Sequence, residues 1–152
     1  MRADSGIDSH PRFRRLADYL AAKASPGKLA GRQHIDPLEI SELLPYLMLI
    51  DVVPQAGGEP RYRIRLVGTD VVAIQGQDGT GKYAEEILTA EEGADIIRDY
   101  GEIVRDRQPQ YRRGMVATPG RDHVAYERVA FPLAQDGEHV DMLIFVFARV
   151  GE

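Results

Sequence analysis

Apolar residues along this chain follow two rhythms, and the elements it predicts alternate between them. Phe13, Leu16 and Leu20 stand at i, i+3 and i+7 with Ala17, Ala21 and Ala24 beside them, the spacing of one helix face. Pro11 behind Ser9-His10 marks the helix start, because a missing N–H costs nothing in a first turn. Pro26-Gly27 closes it. The stripe has to be buried, either against the rest of the domain or against a second copy of the helix. Residues 1–8 read as a disordered start.

Asp36-Pro37 opens a second helical piece with Asp36 as N-cap. Leu38, Ile40, Leu43 and Leu44 give it a short apolar side, and it ends near Pro45. Tyr46 to Val53 is apolar except for Asp51, and Pro54 stops it, so it reads as a buried strand. Gln55 to Pro60 is a hairpin-like loop. Arg61, Arg63 and Arg65 then alternate with Tyr62, Ile64 and Leu66. This is the period of a strand with one dry and one basic face.

Gly68 ends that strand, residues 69–75 make a short helix or turn, and Gly76, Gly79 and Gly81 mark a loop. Thr89 and Glu92 form a capping-box pattern. The helix that follows, residues 91–106, carries Ile96, Ile97, Tyr100, Ile103 and Val104 on one side and stops before Pro109. Three strands are expected at 110–117, 123–134 and 139–149, with Asp136-Gly137 as a tight turn. The unbroken apolar run Met142–Ala148 puts the last strand in the centre of a sheet.

Length and composition narrow the reading. A chain of 152 residues suggests one domain, with residues 1–35 as a helical extension and 36–150 as the body. There is no cysteine, which excludes disulfides, thiolate zinc sites and cysteine nucleophiles. No stretch reaches ~18 uninterrupted apolar residues, and no signal-peptide run follows the N-terminal arginines. A cytoplasmic protein is the expectation. The net charge of −5 is uneven: residues 1–35 hold seven Lys/Arg against three Asp/Glu, and residues 36–152 hold twelve against twenty-one. An acidic body argues against nucleic acid as a partner. The basic arm reads as a solvated helix face, with an acidic partner, a membrane surface or the chain's own body as its other contacts.

Chemistry-bearing motifs are few. Gly76-Gln-Asp-Gly-Thr-Gly81-Lys82 has the spacing of a phosphate-cradling loop, but Tyr83 stands where the magnesium-binding hydroxyl belongs. The segment therefore reads as a glycine-rich turn between two short helices. His10, His34, His123 and His139 have no metal-ligand spacing, and none lies on the 91–106 helix, where a haem ligand is expected. All four serines precede residue 42 and none sits in a G-x-S-x-G elbow. Glu85, Glu86, Glu91 and Glu92 cluster at helix starts, where they oppose the helix dipole. More suggestive are Tyr62, Tyr83, Tyr100, Tyr111 and Tyr126, near the ends or inner faces of elements around one pocket. Arg128 interrupts an apolar strand. Its charge needs a partner if buried: an anionic ligand, or Asp51, Asp141 or Glu127.

Three segments carry a family resemblance. They are Ile35-Asp-Pro-Leu-Glu-Ile-Ser-Glu-Leu-Leu-Pro-Tyr46, Tyr62-Arg-Ile-Arg-Leu-Val-Gly-Thr69 and Tyr126-Glu-Arg-Val-Ala-Phe-Pro-Leu133. In this order they resemble the short, single-domain PAS proteins of bacteria, alphaproteobacteria above all, over residues 12–149. The resemblance implies an α+β fold: a five-stranded antiparallel sheet with helices on one face and an N-terminal helical extension. It also implies a ligand held between sheet and helices, dimerisation through the N-terminal helix or the sheet, and signalling by small shifts rather than catalysis. Flavin- and coumarate-bearing relatives attach their chromophore to a cysteine that this chain lacks, so the cofactor is left unknown. No kinase, cyclase or DNA-binding region follows residue 152, so output is expected through another protein.

The expectation is a sensor or adaptor with Tyr62, Tyr100, Met115, Tyr126 and Arg128 lining the ligand pocket. Phe13, Leu16 and Leu20 form the expected homodimer contact. Two alternatives stay open: a ligand-free PAS module that binds protein, and a small α+β barrel enzyme using carboxylates such as Asp51.

Overall fold

The computed structural model describes residues 6–116, 120–121 and 123–152. Residues 1–5 of the expected disordered start, and position 117 at the expected end of the third strand, lie outside the described residues. Gly6–Ser9 is a turn rather than a loose end, with Ile7 buried and the Ser9 N–H donating to the Gly6 carbonyl at 3.1 Å.

Helix α1, Pro11–Lys23, begins at His10, whose ring nitrogen accepts from the Arg12 N–H. Two 3₁₀ segments follow. The second, Pro37–Tyr46, is capped by Asp36 accepting from the Leu38 N–H and is broken at Ile40. Strand β1 runs Leu47–Gln55 and β2 runs Gly58–Val67. Pro54 does not stop β1. Pairing with β5 ends at Asp51↔Met142, so a residue without an N–H is tolerated beyond that point. Three helices come next: α2, Thr69–Gln75; α3, Ala84–Ile87; and α4, Ala90–Asp106. The chain closes with β3, Gln110–Met115; β4, Ala125–Leu133; and β5, Met142–Arg149. Thr89 is the N-cap of α4, but its side chain makes no capping hydrogen bond, so the expected capping box does not form.

The five strands form one antiparallel sheet in the order β2-β1-β5-β4-β3. As the apolar run foretold, β5 is central and buried along nearly its whole length. Its residues alternate between two cores. Met142, Ile144 and Val146 face one side, with Leu49, Val129, Phe131 and α1. Leu143, Phe145 and Phe147 face the other, with Ile50, Ile64, Ala130 and α4.

Helices α2–α4 cover this second, inner face, while the N-terminal extension covers the outer one. Phe13 and Leu16 are 0% exposed and Leu20 is 7% exposed within the single chain. Burial of each such side chain is worth about 1.5–3 kcal/mol. The stripe of Phe13, Leu16 and Leu20, expected as a dimer contact, packs within the single chain against its own sheet.

Candidate functional site

The Gly76–Lys82 loop is no phosphate cradle. A cradle needs unpaired backbone N–H groups converging on one point, and four of the loop's, with that of Tyr83 after it, are engaged elsewhere. Gly81 N–H donates to the Ile64 carbonyl at 2.7 Å, Lys82 N–H to Gly79 at 2.9 Å and Gly76 N–H to Val72 at 2.7 Å. Thr80 N–H is held by Asp78 and Tyr83 N–H by Glu86. The loop ties β2 to α3.

Three histidines are likewise engaged locally. His10 caps α1, His34 accepts from the Gly31 N–H at 2.9 Å, and His139 lies 2.7 Å from Asp136. His123 is exposed. Asp51 sits on the outer face, 2.9 and 3.1 Å from the Arg65 guanidinium. The barrel alternative fails on this geometry. The sheet is open, and Asp51 faces away from the space between sheet and helices.

Among the described residues, that inner space holds a small cavity of about 40 Å³. Its lining includes Tyr100 from α4, Arg112 from β3, Tyr126 and Arg128 from β4, and Phe145 and Phe147 from β5, with Ile74 and Leu88 across from them. Register explains the basic wall. Arg112 and Arg128 are direct partners across β3 and β4, so both guanidiniums project from the inner face side by side. Like charges in that relation repel. A single carboxylate, Asp99 on α4, lies against both: its Oδ2 is 2.5 Å from Arg112 Nη1 and 3.7 Å from Arg128 Nη2.

Arg128 is 2% exposed. Its Nη1 donates to the Gln110 carbonyl at 2.8 Å and its Nη2 to the Gln110 side-chain oxygen at 3.3 Å. Burial pulls its pKa below the usual guanidinium range, against the opposing pull of Tyr100, Tyr126 and Asp99. It pairs with none of Asp51, Asp141 or Glu127. Glu127 alternates to the outer face, where it accepts from Tyr111 and Ser9.

Arg112 donates from Nε to the Tyr126 hydroxyl at 3.2 Å. Burial is the largest influence on Arg112 and lowers its pKa, but Tyr126 and Asp99 together leave it raised. Burial also pushes the Tyr100 hydroxyl well above its ordinary value, so it stays protonated. That hydroxyl has no hydrogen-bond partner among the described residues.

Of the five residues expected to line the pocket, Tyr100, Tyr126 and Arg128 do so. Tyr62 is buried but stands behind Tyr100, edge to face at 5.3 Å. Met115 is a correction. Strand parity turns Arg112 inward, and Met115, three residues on, outward, 44% exposed. Tyr111 faces outward for the same reason, packing edge-on against Phe13. Tyr83 lies under the Arg61 guanidinium at the far edge. Arg112 and Asp99 escaped the sequence reading. The signal for Arg112 was its place two residues from Gln110 and Gly114 on one strand face. Asp99 sits one residue off the apolar stripe of α4 and left no such signal.

A model of the PAS domain family matches residues 8–146, and the chain belongs to that family. Among curated proteins, none matches it in sequence. Among solved structures it is similar to the Rhodobacter sphaeroides LOV protein, with 10% identity over 78% of this chain and 70% of that one, TM-score 0.54. It is also similar to a fungal LOV domain photoreceptor, with 14% identity over 97% and 99%, TM-score 0.53. The N-terminal domain of a diguanylate cyclase with PAS/PAC sensor from Marinobacter aquaeolei is a third, with 12% identity over 68% and 94%, TM-score 0.50. At these identities the likeness is one of fold. Among the described residues, no helix is long and apolar enough to cross a membrane.

Proposed function

We propose that this PAS domain is a cytoplasmic sensor or adaptor that takes up a small organic ligand in the inner cavity and reports its presence to a protein partner. The observation that carries the reading is Arg128. A guanidinium almost fully removed from water is costly unless its charge and its five N–H groups are answered. Here Gln110 supplies two neutral acceptors, and Asp99 lies 3.7 Å away, already bonded to Arg112. The remaining donor capacity borders the cavity. Membership of the PAS domain family supports the sensing role.

Native mass spectrometry of the protein as purified from cells tests this. The expected result is an added mass that disappears on denaturation and is absent from a folded Arg128→Gln variant. Bare wild-type protein, or equal retention by the variant, speaks against the assignment.

A second reading has its own observation. A cavity of about 40 Å³ is far below the ~300–1,000 Å³ of pockets for drug-sized ligands, which favours a packed, ligand-free module that binds protein. Leu66 and Leu38 are apolar and exposed, and would serve such a contact.

A further inference from the structure

We propose that the ligand of this cavity is a small planar monoanion, a carboxylate of one to about three carbons or an inorganic oxyanion of the same shape, seated between Arg128, Arg112 and the Tyr100 hydroxyl. This rests on the ligand-binding reading above and fixes the chemistry of what binds.

Charge is the first argument. The cavity wall carries two guanidiniums as direct cross-strand partners. One carboxylate, Asp99, faces them. Glu102 does not line the cavity and is occupied by the Gln110 side-chain amide at 3.1 Å. Glu127 is on the opposite face of the sheet. Two cations against one anion leave one positive charge unbalanced in a region mostly removed from water. A monoanion cancels it, a neutral molecule leaves it, and a dianion overshoots.

Hydrogen bonding is the second argument. The polar groups bordering the space are rich in donors. Arg128 has N–H groups beyond those given to Gln110. Tyr100 has an O–H with no partner among the described residues. Tyr126 accepts from Arg112 and so keeps its own O–H to give. Gln75 adds an amide that both donates and accepts; Asp99 is not among the lining residues and is held by Arg112 at 2.5 Å. A site with donors to spare selects a ligand made of acceptors, and paired guanidinium N–H groups match the fork of a planar oxyanion.

Size is the third. A buried water needs at least about 10–15 Å³ of such space, so a 40 Å³ cavity holds about three waters' worth. Formate and acetate are of that size. Larger aromatic or multi-ring ligands require the wall of Phe145, Phe147 and Leu88 to move.

The test is titration of the purified protein, after exhaustive exchange into a buffer free of carboxylate, sulfate and phosphate, followed by calorimetry and by amide NMR shifts. The probes are sodium formate, acetate, nitrate, chloride and sulfate, with acetamide as the neutral isostere of acetate. Saturable binding of formate, acetate or nitrate is expected, with shifts centred on Tyr100, Tyr126 and Arg128 and none from acetamide. Formate and acetate binding without nitrate identifies a carboxylate ligand, and nitrate alone an inorganic one. Arg128→Gln is expected to weaken binding by about tenfold or more, the worth of a hydrogen bond to a charged group. Tyr100→Phe, an apolar isostere that keeps the core filled, is expected to weaken it several-fold. Equal binding of acetamide, unchanged affinity in both variants, tighter binding of sulfate, or no anion binding at all overturns the proposal. Failure here alongside a cell-derived ligand in the native mass spectrum leaves the sensor reading standing and removes only the anion.

Discussion

The carbonyl of Phe147 accepts a hydrogen bond from Arg12 Nη1 at 3.1 Å, while the Phe147 ring forms part of the cavity wall. One residue thus touches both faces of the sheet's business. The bond exists because β1 pairs with β5 only as far as Leu47↔Val146. The next residue of β5 meets α1 instead. Arg12 also lies over the Tyr46 ring at 3.4 Å and forms an ion pair with Glu152. Arg12 thus joins the start of α1 to the strand that carries the Phe147 ring.

Arg12→Ala therefore removes a charged hydrogen bond, an ion pair and a cation–π contact together. Stability is expected to fall by about 1–3 kcal/mol in chemical denaturation. Hydrogen exchange in α1 should rise more than in α4. Uniform exchange across both helices would mean that Arg12 does not fasten α1 in particular.

Leu16→Ala distinguishes packing within the chain from packing between copies. Leu16 is fully buried against the chain's own sheet, so the expected cost is about 2–5 kcal/mol with no change in the mass measured by light scattering. Loss of a dimer with little loss of monomer stability would restore the stripe as an interface.

Asp99→Ala leaves Arg112 and Arg128 adjacent with no carboxylate between them. Breaking a buried pair costs ~3–5 kcal/mol, and the partial exposure of Arg112 and Asp99 reduces that to about 2–3 kcal/mol. Added formate is expected to raise the melting temperature of this variant more than that of the wild type, because the anion replaces the missing charge. Equal shifts would place formate elsewhere.

His10 gives the fold a pH dependence of defined sign. Its pKa in the folded protein is lowered from 6.5, chiefly because burial penalises the cation, with repulsion from Arg12 adding to this and Glu152 and Glu127 opposing it. The unfolded chain thus binds this proton more readily, and stability that is full above pH 6.5 is lost as the pH falls through 6.5 towards the lower folded value. His139 has the opposite sign, its pKa raised by Asp136. Its contribution is present below pH 6.5 and is lost as the pH rises through the folded value. In a His139→Asn background, His10→Asn keeps an N-cap acceptor and is expected to flatten the acid side of the stability profile. An unchanged slope would assign the acid loss to other groups.

Much of the fold was legible because period and burial coincide. The alternation Tyr62, Ile64 against Arg61, Arg63 marked β2, and the run Met142–Ala148 marked a central strand, since only a strand covered on both faces is apolar at every position. What the stripe of α1 packs against was not legible: Phe13, Leu16 and Leu20 look the same whether the cover is a sheet or another helix. The site was half legible. Arg128 stood out as a charge in an apolar strand, but Arg112 sits in the polar-looking segment Gln110–Met115, and its inward face emerges only from its pairing with Arg128. Met115 is apolar, but its parity on β3 turns it outward.

The proposed site of ligand uptake in this domain is the space beside Arg128. Its most direct test is a high-resolution crystal structure of freshly purified protein, grown without carboxylate, sulfate or phosphate. The expected result is density for a non-protein group larger than water, within hydrogen-bonding distance of the Arg128 guanidinium and the Tyr100 hydroxyl. Ordered waters alone, or side chains closed over the space, would contradict it and leave the domain as a packed module that binds only protein.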